Sequence, residues 1–100
     1  MICYQVFLEL DASLNEDEWR DYMINEHIPD VMKTRCFLKC NMMKVDDVPK
    51  KWQIQYFLEN SEKLDTYQNV FAPALKQEVL DRYPEKFKAE RTITKLIHSF

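Results

Sequence analysis

The sequence carries a partial copy of itself. Tyr4-Gln5-Val6-Phe7-Leu8-Glu9-Leu10 returns fifty residues later as Ile54-Gln55-Tyr56-Phe57-Leu58-Glu59-Asn60, with Gln, Phe, Leu and Glu coinciding. A second pair lies downstream of each: Glu26-His27-Ile28-Pro29-Asp30-Val31-Met32 answers to Phe71-Ala72-Pro73-Ala74-Leu75, with Phe71 in the place of His27 and Leu75 in that of Val31. A repeat of this length is one supersecondary unit, and here the unit reads as a strand followed by a helix. Two such units in 100 residues share one core, which leaves few topologies to consider.

The elements follow from periodicity. Ile2, Tyr4, Val6, Leu8 and Leu10 alternate with Cys3, Gln5, Phe7 and Glu9, the pattern of a half-buried strand. Ser13 with Glu16, or Asn15 with Glu18, offers a cap for the first helix. Its buried stripe is Trp19, Met23 and His27, with Tyr22 beside them. Proline sets its own φ and disfavours the helical region for the residue before it, so this helix is expected to end near His27 and leave an imidazole at a helix C-terminus, or to kink at Pro29, with Asp30 to Met32 as one further turn.

Phe37 to Val45 reads as a second strand, apolar on both faces, and Asp46-Asp47-Val48-Pro49-Lys50 supplies the turn of a hairpin. Trp52, Ile54, Tyr56 and Leu58 form the core side of a third strand, with Gln53, Gln55, Phe57 and Glu59 behind. Asn60 or Ser61 caps a second helix whose stripe is Leu64, Tyr67 or Gln68, Phe71, Leu75 and Val79. Pro73 is expected to kink it and Tyr83-Pro84 to close it. Lys88 to Ile97 makes a last strand, suited by its lysines and threonines to a sheet edge.

Two β-α-β units with right-handed crossovers interleave most simply as an α+β, ferredoxin-like β-α-β-β-α-β domain spanning residues 1–100. Both helices then cover one face of a four-stranded antiparallel sheet. The other face carries Gln5, Phe7, Gln53, Gln55 and Phe57, with Phe37 or Met43 nearby. That surface, half apolar and half amide, invites a partner, the simplest being a second copy of the chain.

Composition narrows the chemistry. The absence of glycine excludes glycine-bearing phosphate loops and dinucleotide fingerprints. It also places every positive-φ turn on Asn, Asp or a strained residue. A net charge of −3, with the basic residues scattered, disfavours nucleic acid. Phe7 and Phe57 occupy places where RNA-recognition modules display aromatics, yet Glu9 and Glu59 share that face and the basic glycine-containing strand motif is missing. No apolar run approaches the roughly 20 residues of a membrane span, and Met1-Ile2-Cys3-Tyr4 lacks a basic export region, so a cytoplasmic protein is expected. Three cysteines without a CxxC pair imply reduced thiols rather than a disulfide framework. On one extended strand Cys36 and Cys40 would lie roughly 13 Å apart, too far for one zinc ion. No metal is expected.

Taken together, Trp19, His27-Ile28-Pro29-Asp30-Val31, Cys36-Phe37-Leu38, Gln55-Tyr56, Ala72-Pro73-Ala74-Leu75 and Arg91-Thr92 resemble a bacterial family of domains of unknown function, from Met1 to about Ile97. More distantly the chain resembles the dimeric α/β-barrel superfamily, which implies two ferredoxin-like sheets packed face to face and a ligand cavity between sheet and helices. That superfamily includes cofactor-free monooxygenases, small isomerases and cyclases, and haem-handling enzymes. Arg35 stands where a glycine is expected in the family, which puts the backbone of that turn in question.

The candidate catalytic residue is His27, a general acid or base by its intrinsic pKa. Trp19, Tyr22, Tyr4 and Tyr56 are placed to orient a small phenolic or enolisable molecule beside it without a cofactor. A single histidine is a slender basis for haem. Arg91 either meets an anionic substrate or pairs with Glu9 or Glu59 across the sheet. The competing view of His27 is structural: a helix C-terminus favours imidazolium by up to about 2 kcal/mol, and the ring fills space. On that view the protein is a non-enzymatic homodimeric interaction module, and the space beside His27 is filled by Trp19, Met23 and Phe71. An enzyme or binding protein needs a cavity there instead.

Overall fold

In the computed structural model, which describes residues 1–100, four strands form one antiparallel sheet in the order β2-β3-β1-β4. They are β1 (Ile2–Leu10), β2 (Lys39–Lys44), β3 (Lys51–Leu58) and β4 (Phe87–Lys95). The two copies of the repeated strand are β1 and β3, paired at the centre with Gln5 opposite Gln55 and Phe7 opposite Gln53. β4 lies at an edge beside β1, as its composition predicts. This is the ferredoxin-like arrangement, with both helical arms on one face.

Each arm has three parts. The first runs through α1 (Glu16–Tyr22), a π turn (Met23–His27) and α2 (Ile28–Met32). The second runs through α3 (Ser61–Thr66), a π turn (Tyr67–Phe71) and α4 (Ala72–Arg82). Asn15 caps α1 by accepting from the Glu18 N–H, and Asn60 caps α3 from the Lys63 N–H, each at 3.0 Å.

The stop at His27 is not found, and the further turn expected at Asp30 to Met32 is present as α2. Ile28 donates its N–H five residues back to the Met23 carbonyl, and Ala72 does the same to Tyr67. In an α-helix Pro29 and Pro73 would each lack a donor and crowd the carbonyl four residues before, those of Asn25 and Asn69. A π turn widens the ladder at that point, so the chain absorbs the proline and continues. The repeat is therefore structural as well as sequential, and His27 sits inside a helical arm, not at its C-terminus.

The core lies between sheet and arms. Trp19, Val31, Ile54 and Leu58 are its most deeply buried large side chains, and Trp19 packs on Trp52 at 5.3 Å between ring centres. Two further expectations change. The second strand starts at Lys39, so Phe37 precedes it and turns into the core, 4.9 Å from Tyr56 and 4.6 Å from Tyr67, instead of lying near the open face. Met43, paired with Gln53, does lie on that face. Cys36 likewise precedes the strand, buried beside the Arg35 turn, so it shares no strand face with Cys40. Arg35 itself has φ of 61°, and the other positive-φ residues are Asp47, Lys50 and Glu85. In a chain without glycine, turns that require the left-handed region carry side chains that resist it.

Candidate functional site

A cavity of about 310 Å³ opens between the sheet and the two arms. β1 contributes Tyr4, Val6 and Leu8 to its floor, and β3 contributes Ile54 and Tyr56. All are alternate residues of strands whose other face looks away from the arms. Trp19, Met23 and His27 descend from the first arm, one helical stripe carried through the π turn, while Tyr67, Lys76, Val79 and Leu80 descend from the second. Phe87, Ala89 and Arg91 close the side along β4. The space beside His27 is thus a cavity, bordered by Trp19 and Met23 but not filled by them, and Phe71 is not among its walls.

His27, Trp19, Tyr4, Tyr56 and Arg91 come together on this cavity from the first helical arm and three strands. Tyr22 does not line it. Its ring stacks near that of His27, 6.3 Å away and 24° from parallel, meets Tyr83 edge-on at 5.6 Å, and carries the Arg82 guanidinium 4.3 Å above its centre. Tyr22 therefore backs the imidazole from behind.

Nδ1 of His27 is buried without a hydrogen-bond partner. Burial holds its pKa below the ordinary 6.5, against a smaller opposing pull from Asp30. The ring is accordingly neutral at pH 7, with a lone pair free to take a proton. Burial is the main cause, and the C-terminal dipole that would favour imidazolium is absent where the helical arm continues.

Tyr4, Tyr56 and Tyr67 form a cluster over the floor, with Tyr4 6.1 Å from Tyr56 and 6.3 Å from Tyr67. Burial raises the pKa of all three, so their hydroxyls stay protonated as donors. Around Tyr4 and Tyr67 the positive charge of Arg91 works in the other direction. Cys40, opposite Tyr56 across the β2–β3 pair, is pushed up to about 11 by burial and remains a thiol. Such a thiol is inert as a nucleophile near neutrality.

Arg91 is paired with Val6 in the β1–β4 register and shares its helix-side face. Glu9 projects to the opposite face, and Arg91 makes no ion pair. The expected cross-sheet salt bridge is therefore absent. Lys76 and Tyr67 are cavity residues that the sequence reading did not place there. Tyr67 was one of two choices for the helix stripe, and its burial selects it over Gln68. Lys76 follows the stripe residue Leu75 and precedes Val79 by three, so its position on the stripe's border was the available signal. No group of three or more His, Cys, Asp or Glu is arranged to hold a metal ion. No helix is long and apolar enough to cross a membrane.

The sequence matches a family model described as a domain of unknown function, DUF4286, over residues 1–97. No curated protein matches it. Among solved structures, it is similar to a cofactor-independent oxygenase, SnoaB from Streptomyces nogalater, in mutant form: TM-score 0.76, 4% identity, 98% of this chain and 94% of that one covered. It is also similar to an ethyl tert-butyl ether d (EthD) family protein from Bacillus halodurans: TM-score 0.73, 12% identity, 97% and 100% covered. A third is an MhuD mutant with two manganese protoporphyrin IX bound per active site: TM-score 0.72, 12% identity, 100% and 98% covered. At these identities the likeness is one of fold, the ferredoxin-like arrangement of sheet and helices.

Proposed function

We propose a small-molecule role for this chain, which belongs to the DUF4286 family: it binds, and transforms by proton transfer or oxygenation, a small phenolic or enolisable compound without a cofactor. The observation that carries this reading is the apolar cavity of about 310 Å³ on which His27 opens. A packing histidine in a filled core would have no such space. At this size the cavity stands at the small end of ligand pockets and suits one or two rings rather than a porphyrin. SnoaB supplies a precedent on the same fold for oxygenation without a cofactor.

In this reading the neutral His27 accepts a proton from a phenol or from carbon next to a carbonyl. Trp19 and the tyrosines of the floor hold the flat face of the substrate. Tyrosine hydroxyls stabilise the resulting oxyanion in an apolar setting where such contacts are strong. The domain acts as a homodimer, a second copy covering the open sheet face, where Phe7 is 38% and Met43 36% exposed. A Gln53–Gln5 hydrogen bond on that face pre-orders part of the polar surface.

The test is an NMR titration of the His27 imidazole, alone and with a set of small phenols and β-keto acids. The expected free value lies below 6.5 and moves with one ligand class. A value indifferent to every ligand, together with a His27→Ala variant that changes no binding or turnover signal, would overturn the reading.

A further inference from the structure

The chain as a whole is acidic, with 17 Asp and Glu against 14 Lys and Arg, yet its cavity has the opposite sign. The charged side chains on its walls are Lys76 of α4 and Arg91 of β4, and no carboxylate accompanies them. Neither cation takes part in an ion pair. Burial, and after it the positive charge of Arg91, lowers the pKa of Lys76. Like charges brought together beside apolar walls repel more than they would in water, because those walls screen poorly. Only four of the 14 Lys and Arg of the chain take part in ion pairs, so what sets Lys76 and Arg91 apart is their place together on the wall of an apolar cavity. Arg91 and Leu80 are the exposed members of the cavity wall, so the uncompensated charge lies toward its open side.

Resting on the small-molecule reading above, we infer that the ligand is an aromatic or enolisable carboxylate, whose carboxylate is held at the cavity mouth between Lys76 and Arg91. A guanidinium presents a planar pair of donors matched to the two carboxylate oxygens, and the ammonium adds a point charge. The apolar body of the ligand then enters past Ala89 and Val6 toward Tyr4 and His27. Lys76 is in this view a binding and specificity residue, and proton transfer stays with His27.

The matched probes are 4-hydroxybenzoate and its methyl ester, which differ at the carboxylate and keep the phenol. Titration calorimetry at about pH 7.5 would use the unmodified protein and the Lys76→Gln and Arg91→Gln variants, the first at a half-buried and the second at an exposed position. The carboxylate should bind at least about tenfold more tightly than the ester, and each variant should weaken carboxylate binding about tenfold, with the ester changed less than about twofold. Raising salt from about 50 to about 500 mM should weaken the carboxylate selectively. Equal binding of acid and ester overturns this inference while leaving the pocket reading in place. Binding of neither, with the His27 resonances unmoved by both, overturns the two together.

Discussion

Substituting phenylalanine for His27 should stabilise the protein while abolishing its response to ligand. Nδ1 of His27 is buried without a partner, and a buried polar atom left unpaired costs about 1–3 kcal/mol. Phe71 holds the matching place in the second π turn, so this backbone geometry already accepts a phenyl ring. The ring is larger than imidazole, and overpacking a dense core costs about 1–3 kcal/mol. At His27 that penalty shrinks, because the added atoms border a cavity of about 310 Å³ instead of close-packed neighbours. The unpaired nitrogen is then the larger effect, and the expected gain is roughly 1 kcal/mol, or about 4–8 °C in Tm for a chain of this length.

Thermal unfolding followed by circular dichroism, at fixed protein concentration because self-association shifts Tm, measures this directly. The dependence on pH provides a second readout. The folded pKa of His27 lies below the ordinary 6.5, so unfolding takes up a proton between the two values. The associated stability is fully present above 6.5 and is lost as pH falls from there through the folded value, no more steeply than about 1.4 kcal/mol per pH unit. His27→Phe should erase that slope. A lower Tm with ligand binding retained would refute the argument, since His27 would then be a packing residue whose shape matters and whose nitrogen does not.

Three further outcomes follow from particular residues. Arg35→Gly removes a side chain from φ of 61°; relief of about 1–2 kcal/mol, less about 0.4–1 for the freer unfolded chain, should raise the urea midpoint by the equivalent of roughly 0.5–1 kcal/mol at constant m-value. Asn15→Ala and Asn60→Ala each delete one cap, and each should cost about 1 kcal/mol, adding within about 0.5 in the double variant because the sites are independent. Phe7→Glu combined with Phe57→Glu places charge on the open sheet face; sedimentation should then report a monomer where the unmodified chain sediments as a dimer. An unchanged dimer would assign the interface to another surface.

Much of the fold is legible because its causes are local. Alternation in Ile2–Leu10 and Lys51–Leu58 specifies which face of each central strand is buried, since successive side chains point to opposite faces whatever the surroundings. The asparagines before each helical arm cap it through their own side chains. The internal repeat places β1 and β3 in equivalent roles, and they meet as neighbours at the centre of the sheet. Where local rules mislead, the reason is equally physical. Proline forbids a regular α-turn, but it does not forbid a π turn, and packing of the arm against the sheet favours continuing over stopping.

The site is a different matter. His27, Trp19, Tyr4 and Tyr56 are individually visible as polar or aromatic residues on the buried stripe or strand face, whereas the face taken by Arg91 is not legible in the sequence. Whether the space among them is empty or full depends on how closely two arms approach one sheet, and that distance is set by every side chain between them. Lys76 and Arg91 lie fifteen positions apart in the sequence, on a helix and an edge strand that no short-range pattern connects. Their charges become neighbours through the crossover from α4 to β4, as does the lack of any carboxylate beside them. The sequence by itself determined the two central strands, their buried faces and the repeat, each a property of a few adjacent residues. Tertiary structure alone decided that His27 sits within a continuing helical arm beside an unfilled cavity, because both depend on packing over the whole width of the sheet.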